Sequence, residues 1–298
     1  MSRNSTPLSR EEFGTEKRPN TVTSRLDYFV KPSDSPFVFH VHGEHFSAID
    51  STQSYLESSK LSSIPCSIEA TKFSVHVCSS NEQLFGKGKG GRTWVSPGNH
   101  LNLAMSLLLP FPVSLLKYNG ILTQLMSLSA AKLLAEHNVA TRLKWPNDVM
   151  LGNFKIGGIL AQMFDANDTH RAVIIGIGLN FDVPHEVLDD RIGASRVWPA
   201  GSVKQISGKN VDITKFRSDL VNEFLGNVAI LMRDGNPSMF LPYLRSRQLL
   251  LGSPIAFRVD ERTLIRGIHG GISDSGGIKL ELLDGRTEVH YSGEIVLE

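Results

Sequence analysis

The chain has 298 residues, 41% of them hydrophobic and 20% charged, which is enough to bury a large core in one big domain or two smaller ones and excludes a disordered or collagen-like chain. Its 31 Lys and Arg residues balance 30 Asp and Glu, so the net charge of +1 provides no global field to hold nucleic acid or an anionic membrane. No stretch reaches the roughly 18 to 20 apolar residues of a membrane helix, and two cysteines are too few for a disulfide scaffold, which together predict a soluble protein of a reducing compartment.

Residues 1–36 are rich in Ser, Thr, Pro and charged side chains without an apolar period, which predicts a flexible arm. The arm lacks the apolar segment of a secretory signal, and it is too short and too polar for a helix-turn-helix DNA-binding domain. Its arginines would suit a mitochondrial presequence, but Glu11, Glu12 and Glu16 argue against one. We therefore expect a cytoplasmic protein, with mitochondrial import as the alternative.

Residues 37–250 show the periodicities of a mixed α+β domain with a mostly antiparallel sheet. Helical patterns cover Gln53–Lys60, the stretch from Ile121 to about Asn138, and the stretch from Asp212, a predicted N-cap, to Gly235. Apolar runs and alternation predict strands at Phe37–Val41, Phe73–Val77, Leu101–Leu109, Met150–Leu151, Ile156–Met163 and Val173–Leu179. Pro110 and Pro112 are expected to close the third of these strands.

Residues 251–298 form a separate unit by composition. Short alternating runs at Ile255–Val259, Leu264–Ile268, Gly277–Leu283 and Thr287–Val296 are separated by glycine-containing turns, which predicts a small β-barrel. A module of this size is near the lower limit for independent stability, so we expect it to pack against the larger domain and to be stabilised by it.

The most informative segment is Gly86–Trp94, with the sequence GKGKGGRTW. Its glycines let backbone amides approach an anion, and three cations supply charge, as a polyphosphate requires. The segment satisfies the GxGxxG pattern and imitates a P-loop, but the following residues 95–98 (VSPG) forbid the helix that both motifs need. A solvated glycine loop with incidental cations is the alternative.

A second motif, Lys144-Trp145-Pro146-Asn147-Asp148, presents a cation, an amide and a carboxylate within five residues. A surface ion pair between its lysine and aspartate is the structural alternative. Lys155 and two glycines, Gly157 and Gly158, follow shortly. The run Gly176–Asn180 then predicts a buried strand that ends in an amide suited to an adenine edge.

In this order the motifs resemble the biotin protein ligase family. Its pattern is a Ser-Thr after a strand, a Gln ahead of GRGRxGRxW, then KWPND, K-x-x-GI and GxGxN. All five occur here at matching spacing, and the resemblance covers roughly residues 37–298. It implies that biotin and MgATP give biotinyl-5′-adenylate and pyrophosphate, and that a lysine of the biotin carboxyl carrier domain of a carboxylase then takes the biotinyl group. It also implies a catalytic domain over 37–250 and an SH3-like C-terminal domain over 251–298.

The resemblance assigns the residues to roles. Lys155 is the first choice for transition-state stabilisation, with Lys144, Asp148 and Lys87 as further catalytic residues; Asp148 is either a base for the incoming lysine or a Mg²⁺ ligand. Biotin would be bound by Ser51, Thr52, Gln83, Lys87, Lys155, Gly157 and Gly158, the two glycines clearing space for it. The nucleotide would be bound by Lys87, Gly88, Lys89, Arg92, Trp94, Lys144, Asn147, Asn180 and Trp198.

Lys87 and Lys89 stand where the family has arginines, and lysine keeps the charge but lacks the planar two-point grip on an oxyanion. We expect the chain to be active but to retain the adenylate less tightly than it would with arginines at these two positions. The loop itself is expected to be mobile until ligand arrives. No ligand contact is assigned to the last residues, 295–298, and the sequence does not decide between a monomer and a homodimer.

Two other functions compete with this interpretation. A lipoate ligase or acyltransferase would share the fold, but Gln83 and the basic glycine loop suit a polar ureido head and adenylate chemistry better. A non-catalytic protein that stores biotin or nucleotide would not need Lys155.

His40, His42 and Glu44 share one face of the first predicted strand and imitate a metal site. Since no further ligand motif is nearby, a polar, solvated face is the preferred interpretation.

Overall fold

An eight-stranded sheet forms the centre of the protein in the computed structural model, which describes residues 21–63, 71–192 and 198–296. The first ten strands are β1 (Val22–Val30), β2 (Val38–Phe46), β3 (Lys72–Ser80), β4 (Glu82–Lys87), β5 (Thr93–Pro97), β6 (Asn102–Pro112), β7 (Arg142–Lys144), β8 (Asp148–Leu151), β9 (Phe154–Asp165) and β10 (His170–Asn180). The sheet order is β1-β2-β3-β6-β10-β9-β8-β7, while β4 and β5 form a separate hairpin. Neighbouring strands are antiparallel except β2 and β3, which confirms the predicted α+β class.

Helices cover both faces of this sheet. They are α1 (Thr52–Ser59), α2 (Asn119–Glu136), α3 (His185–Ile192), α4 (Val203–Ser207), α5 (Ile213–Asp234) and α6 (Leu241–Ser246). Because both faces are covered, the central strands are continuous apolar runs: in β6, Leu107 and Leu109 join the large core and Leu108 joins a smaller core with Leu56 of α1.

The predicted ends of the long helices are close to the observed ones. Asp212 caps α5 by accepting from the backbone N–H groups of Thr214 and Lys215, and Gly235 ends it in the left-handed conformation. The α2 helix ends at Glu136, and Asn138 follows with φ of 61°.

The predicted flexible arm is wrong for Val22–Val30, which forms β1 at the edge of the sheet. Its side chains are half-buried or exposed, so main-chain pairing with β2 holds it and the sequence shows little apolar period. Residues 1–20 lie outside the described part.

The strand β6 also continues past the prolines expected to close it, reaching Pro112. Since β3 pairs with β6 only as far as Leu108, Pro110 lies beyond that pairing, where β6 has a single neighbour, β10.

The C-terminal part is a five-stranded antiparallel sheet that packs on the main domain. Its strands are β11 (Pro254–Arg258), β12 (Leu264–Ile272), β13 (Ile278–Glu281), β14 (Thr287–His290) and β15 (Glu294–Val296), in the order β14-β13-β12-β11-β15. No ladder joins β14 to β15 among the described residues, so the expected barrel is an open sheet. Trp145 donates from its indole N–H to the Gly276 carbonyl (3.0 Å), and its ring lies 5.7 Å from that of Phe257, as expected for a module that leans on the larger body.

No helix in the part of the chain that the structure describes combines the length and the apolar character needed to cross a membrane.

Candidate functional site

A cleft opens where the start of α1, the β4–β5 hairpin and the central strands β6, β9 and β10 meet, with about 890 Å³ of empty space when the solvent at its mouth is included. Its lining falls into a neutral polar end near α1 and a cationic end near the hairpin. The predicted site residues that line it are Ser51, Thr52, Gln83, Lys87, Gly88, Lys89, Arg92, Trp94, Asn147, Lys155, Gly158 and Asn180. Segments as far apart in the chain as Ser51 and Asn180 therefore meet in one space.

The neutral end is a hydrogen-bonded network at the first turn of α1. Ser51 is the N-cap of that helix, and its hydroxyl accepts from the Ser54 N–H. The Gln83 Oε1 atom accepts from the Thr52 backbone N–H (2.8 Å) and hydroxyl (3.1 Å), and the Thr52 hydroxyl also bonds Ser106 (2.8 Å). Buried uncharged donors and acceptors of this kind suit a neutral polar ligand.

Gln53 and Ser106 belong to the same end, although neither was predicted to have a role. Gln53 Nε2 donates to Gln162 Oε1 (3.0 Å), and its Oε1 accepts from the Ser106 hydroxyl (3.3 Å). A Cβ atom built on Gly176 would lie 2.5 Å from Gln53 Oε1, so a larger residue there would displace the Gln53 amide. A serine inside the apolar run 101–109 was the signal that could have identified Ser106.

The glycine segment folds into the β4–β5 hairpin with one 3₁₀ turn at Lys89–Gly91. Gly86 lies against the opposite strand, where a Cβ would be 2.4 Å from the Trp94 carbonyl, and Gly90 and Gly91 have positive φ. Here the glycines are required by the turn itself, whatever the ligand.

The three cations of the hairpin all line the cleft. Lys87 is 3.7 Å from Glu57 and largely open to solvent. Lys89 Nζ donates to the Gly293 carbonyl (2.9 Å), and Arg92 Nη1 pairs with Glu294 Oε1 at 3.1 Å. Burial lowers the pKa of Lys89 from its ordinary value.

These two contacts tie the glycine hairpin to β15. No ligand contact was assigned to the chain's last residues, and Gly293 and Glu294 just before them hold two of the cations expected to bind phosphate. The C-terminal sheet therefore contacts the cationic end of the cleft.

Lys155, Lys144 and Asp148 form a triad beside the cleft. Asp148 pairs with Lys144 Nζ through Oδ2 (3.1 Å) and with Lys155 Nζ through Oδ1. The Lys144 and Asp148 side chains are 2% and 9% exposed, and neither lines the cleft, whereas Lys155 does. The ion pair is therefore buried, contrary to the surface alternative, and Lys155 is the member that can reach a ligand.

The charges around Asp148 bear on both of its proposed roles, as a base and as a Mg²⁺ ligand. Burial alone would raise the pKa of its carboxyl group, but the Lys155 and Lys144 ammonium groups together hold that pKa below its ordinary value. A carboxylate so stabilised is a poor proton acceptor, and both its oxygens are engaged.

Asp148 is unsuited to be a Mg²⁺ ligand for a different reason: both of its oxygens already pair with lysines, and it does not line the cleft. None of the described residues that line the cleft is an aspartate or a glutamate. The described lining of the cleft thus offers no carboxylate to hold Mg²⁺, and any Mg²⁺ there would have to arrive on the phosphates of a substrate.

Two asparagines line the cleft beside the cations. Asn147 Nδ2 donates to the Ile159 carbonyl (2.7 Å), which fixes its side chain. Asn180 Nδ2 donates to the Gly201 carbonyl (3.1 Å), while its buried Oδ1 has no hydrogen-bond partner among the described residues. A buried unsatisfied acceptor is costly, and an exocyclic amine such as that of adenine would satisfy it.

Trp94 covers the floor of the cleft. A Cβ on Gly178 would lie 2.3 Å from Trp94 Cε2, so the indole rests directly on the β10 backbone. Trp198, the other predicted nucleotide residue, is not among the lining residues; Ala200 and Leu188 are.

Gly157 also departs from its predicted role of clearing space for a ligand. It does not line the cleft, and a Cβ there would lie 2.3 Å from Leu179 Cδ2 and 2.8 Å from the Gly178 carbonyl. This glycine is required by strand packing, whereas Gly158 lines the cleft.

The chain is similar to characterised ligases over most of its length. The model of the "Biotin/lipoate A/B protein ligase family" matches residues 48–180. A biotin–[acetyl-CoA-carboxylase] ligase of Mycobacterium tuberculosis is 30% identical over 221 residues, 73% of this chain and 77% of that protein. The bifunctional ligase/repressor BirA of Bacillus spizizenii is also 30% identical, over 73% of this chain, and the match spans 65% of its length.

The fold agrees with these relatives. The biotin protein ligase from Aquifex aeolicus, solved in complex with biotin and ATP, superposes with a TM-score of 0.66 at 22% identity, covering 86% of this chain and 98% of that one. This likeness shows that the two chains share a fold.

Proposed function

The chain belongs to the biotin protein ligase family and is a ligase of that type, and from this premise we propose that it activates biotin with MgATP and transfers it to a lysine of a biotin carboxyl carrier domain. The observation that carries the proposal is the charge pattern of the cleft. Four cations line it, namely Lys87, Lys89, Arg92 and Lys155, with no carboxylate among its described lining residues. A site of this kind attracts two anions at once.

The first step joins a carboxylate to a phosphate. A biotin carboxylate oxygen attacks the α-phosphorus of ATP, a new P–O bond forms, and the bond to pyrophosphate breaks. Both reactants are anions, so the cations must neutralise their repulsion and the charge that develops in the transition state. Lys155, held by Asp148, is placed to stabilise that charge, while Lys87, Lys89 and Arg92 hold the phosphates.

The two ends of the substrates match the two ends of the cleft. The network of Ser51, Thr52 and Gln83 would bind the uncharged ureido head, with Gln53 and Ser106 supporting it. Asn180 offers its free oxygen to the adenine amine, and Trp94 offers a surface for packing. Gly88 and Gly158 let the substrates approach the backbone closely.

The second step transfers the biotinyl group. The amine of the carrier lysine attacks the acyl carbon, an amide forms, AMP leaves, and the amine's proton passes to solvent or to a group of the complex. The role of Asp148 is to position Lys155, because both of its oxygens pair with lysines and its lowered pKa disfavours action as a base. We further propose that catalysis resides in the domain that ends near residue 250, and that residues 251–298 close the nucleotide end.

Exchange of labelled pyrophosphate into ATP tests the first step, since it reports adenylate formation without a carrier protein. We expect exchange to depend on biotin and to be absent with lipoate. Transfer is then measured on an acetyl-CoA carboxylase carrier domain, with a variant lacking its acceptor lysine as control.

Exchange with lipoate but not with biotin would overturn the proposed substrate. Binding of biotin and ATP without any exchange would instead favour a storage protein.

A further inference from the structure

A cluster of possible metal ligands lies on β1 and β2, away from the cleft. One ligand atom each of Asp27, His40 and His42 lies within 4.8 Å of the others. None of the three lines the cleft, and two strands, β2 and β3, separate β1 from β6 in the sheet. The reaction proposed above makes no use of them.

The strand register brings these side chains together. Asp27 of β1 pairs directly with His42 of β2, and His40 is two residues from His42, so all three project from the same face. The Asp27 carboxylate lies between the imidazoles: Oδ2 is 3.4 Å from His42 Nδ1, and Oδ1 contacts His40 Nε2. Two imidazole nitrogens therefore point towards one carboxylate.

Neighbouring rings fix the orientation of the imidazoles. Phe29 stacks on His40 with a centroid distance of 4.4 Å and an interplanar angle of 19°. His76 of β3 stacks on His42 from the other side, at 5.2 Å and 27°. Ligands whose rotamers are restricted lose less entropy when they bind a metal.

Glu44, which the sequence grouped with the two histidines, is not a member of the cluster. Its carboxylate accepts from the Tyr55 hydroxyl (2.9 Å) and pairs with Lys60 (3.0 Å). The third ligand comes instead from Asp27, in the segment expected to be a flexible arm.

We propose that Asp27, His40 and His42 bind one divalent transition-metal ion of the Zn²⁺ class through two imidazole nitrogens and one carboxylate oxygen. This donor set suits Zn²⁺, Co²⁺ and Ni²⁺ and does not suit Mg²⁺ or Ca²⁺, which require oxygen ligands. The two imidazoles are 38% and 34% exposed, so an ion can reach them, and its remaining positions are left to water.

The test uses the full chain without an affinity tag, stripped of metal with a chelator and dialysed. Co²⁺ is titrated in the presence of excess Mg²⁺ and followed by visible absorbance, because its d–d bands report the coordination geometry. Zn²⁺ is titrated by calorimetry. We expect one equivalent of each ion, with Zn²⁺ displacing Co²⁺ and bleaching its bands.

Three variants locate the site. Asp27→Asn and His42→Gln change exposed or half-exposed side chains. Loss of a residue that only hydrogen-bonds to a metal ligand typically weakens metal binding about 10- to 100-fold, so loss of a ligand itself should weaken Co²⁺ binding by at least that factor in each variant. His137→Gln removes an exposed histidine at the end of α2 and should bind as the parent does. Circular dichroism checks that all three are folded.

No saturable Co²⁺ or Zn²⁺ binding by the parent would overturn the proposal, leaving the cluster as an ion pair of Asp27 with its histidines. Binding that survives unchanged in both Asp27→Asn and His42→Gln would place the metal elsewhere and overturn it too. Biotin-dependent pyrophosphate exchange, measured on the same variants, is expected to be unchanged, which separates this proposal from the proposed function.

Discussion

Lys155 differs from the other cations of the cleft because its position depends on a buried carboxylate. Asp148 pairs with both Lys155 and Lys144, and the Lys144 side chain is 2% exposed. The triad therefore contributes to the stability of the domain and also positions Lys155, the residue expected to stabilise the transition state. A buried lysine without a counter-ion is strongly unfavourable.

Asp148→Asn should therefore cost stability as well as activity. Removing one partner of a buried ion pair typically costs about 3 to 5 kcal/mol, and we expect about 3 kcal/mol here because Asn keeps one hydrogen-bond acceptor. Urea unfolding at neutral pH measures the loss. The double variant Lys144→Met/Asp148→Asn removes both charges and should recover at least half of it, whereas a loss below about 1 kcal/mol in the single variant would contradict a buried charged pair.

The roles of these residues follow from the sequence only in part. The motif at Lys144–Asp148 identifies the right segment, but short spacing does not reveal that two of its charges are buried behind Lys155. Gln53 and Ser106 were missed because a buried polar side chain has meaning only once its partner, far away in the chain, is known.

At the scale of elements, the sequence predicts best what local periodicity encodes. The α5 helix has both its cap residues and its apolar stripe in one continuous segment, and its ends are correct. The edge strand β1 was missed because main-chain pairing, which leaves little trace in the side chains, holds it. The glycine segment predicted as a loop is a hairpin whose cations are held by the distant β15, and nothing in its local sequence reports that contact.

Alanine substitutions at two glycines should change the stability of the protein in opposite directions, because one glycine has open space around it and the other is tightly packed. Gly226 lies inside α5 with open space around its Cα, so Gly226→Ala should stabilise the protein by about 0.5 to 1 kcal/mol. Gly157→Ala would push a methyl group into Leu179 and the Gly178 carbonyl and should destabilise it by about 1 to 3 kcal/mol. Thermal unfolding monitored by circular dichroism compares the two; equal shifts of the same sign would contradict the packing described here.

The contact between the glycine hairpin and β15 gives a prediction about loop opening. The Arg92–Glu294 pair is partly exposed, and such a pair stabilises the closed hairpin by about 0.2 to 1 kcal/mol. Because its loss should increase the population of the open hairpin, Glu294→Ala should raise tryptic cleavage after Lys89 and Arg92 by up to about fivefold. Mass spectrometry of the early fragments measures the rate. Glu261→Ala, which changes an exposed residue of the turn between β11 and β12, serves as the control, and cleavage rates that match between the two variants would argue against the contact.

At the scale of the whole molecule, one continuous core joins the main domain to the C-terminal sheet. Phe257 and Ile295 of that sheet belong to the same cluster of buried residues as Phe224 of α5. The composition of residues 251–298 predicts a separate unit, but composition cannot show how much apolar surface two units share. The two parts are therefore expected to unfold together.

Three half-buried or buried histidines, His45, His76 and His269, should make this unfolding sensitive to mild acid. Burial lowers the pKa of each from 6.5 to about 4. Between pH 6.5 and 4 these histidines are protonated in the unfolded chain but largely neutral in the folded chain. The free energy of unfolding should therefore fall as the pH is lowered from 6.5 to 4.

The variant His269→Gln isolates one of the three. It should flatten the pH dependence of the unfolding free energy by up to about 1.4 kcal/mol per pH unit, which corresponds to one proton. Urea unfolding at pH intervals between 4 and 7 provides the two slopes, and an unchanged slope would show that His269 titrates normally in the folded protein.

The most direct test of the account is the rate of biotin-dependent pyrophosphate exchange into ATP in Lys155→Ala, compared with Lys209→Ala, which removes an exposed lysine after α4. Because Lys155 is proposed to stabilise charge that develops in the transition state, its loss should slow exchange by about 100- to 1,000-fold, while Lys209→Ala exchanges at the parental rate. Exchange by Lys155→Ala at the parental rate would contradict the claim that the cations of this cleft bring the two anionic substrates to reaction.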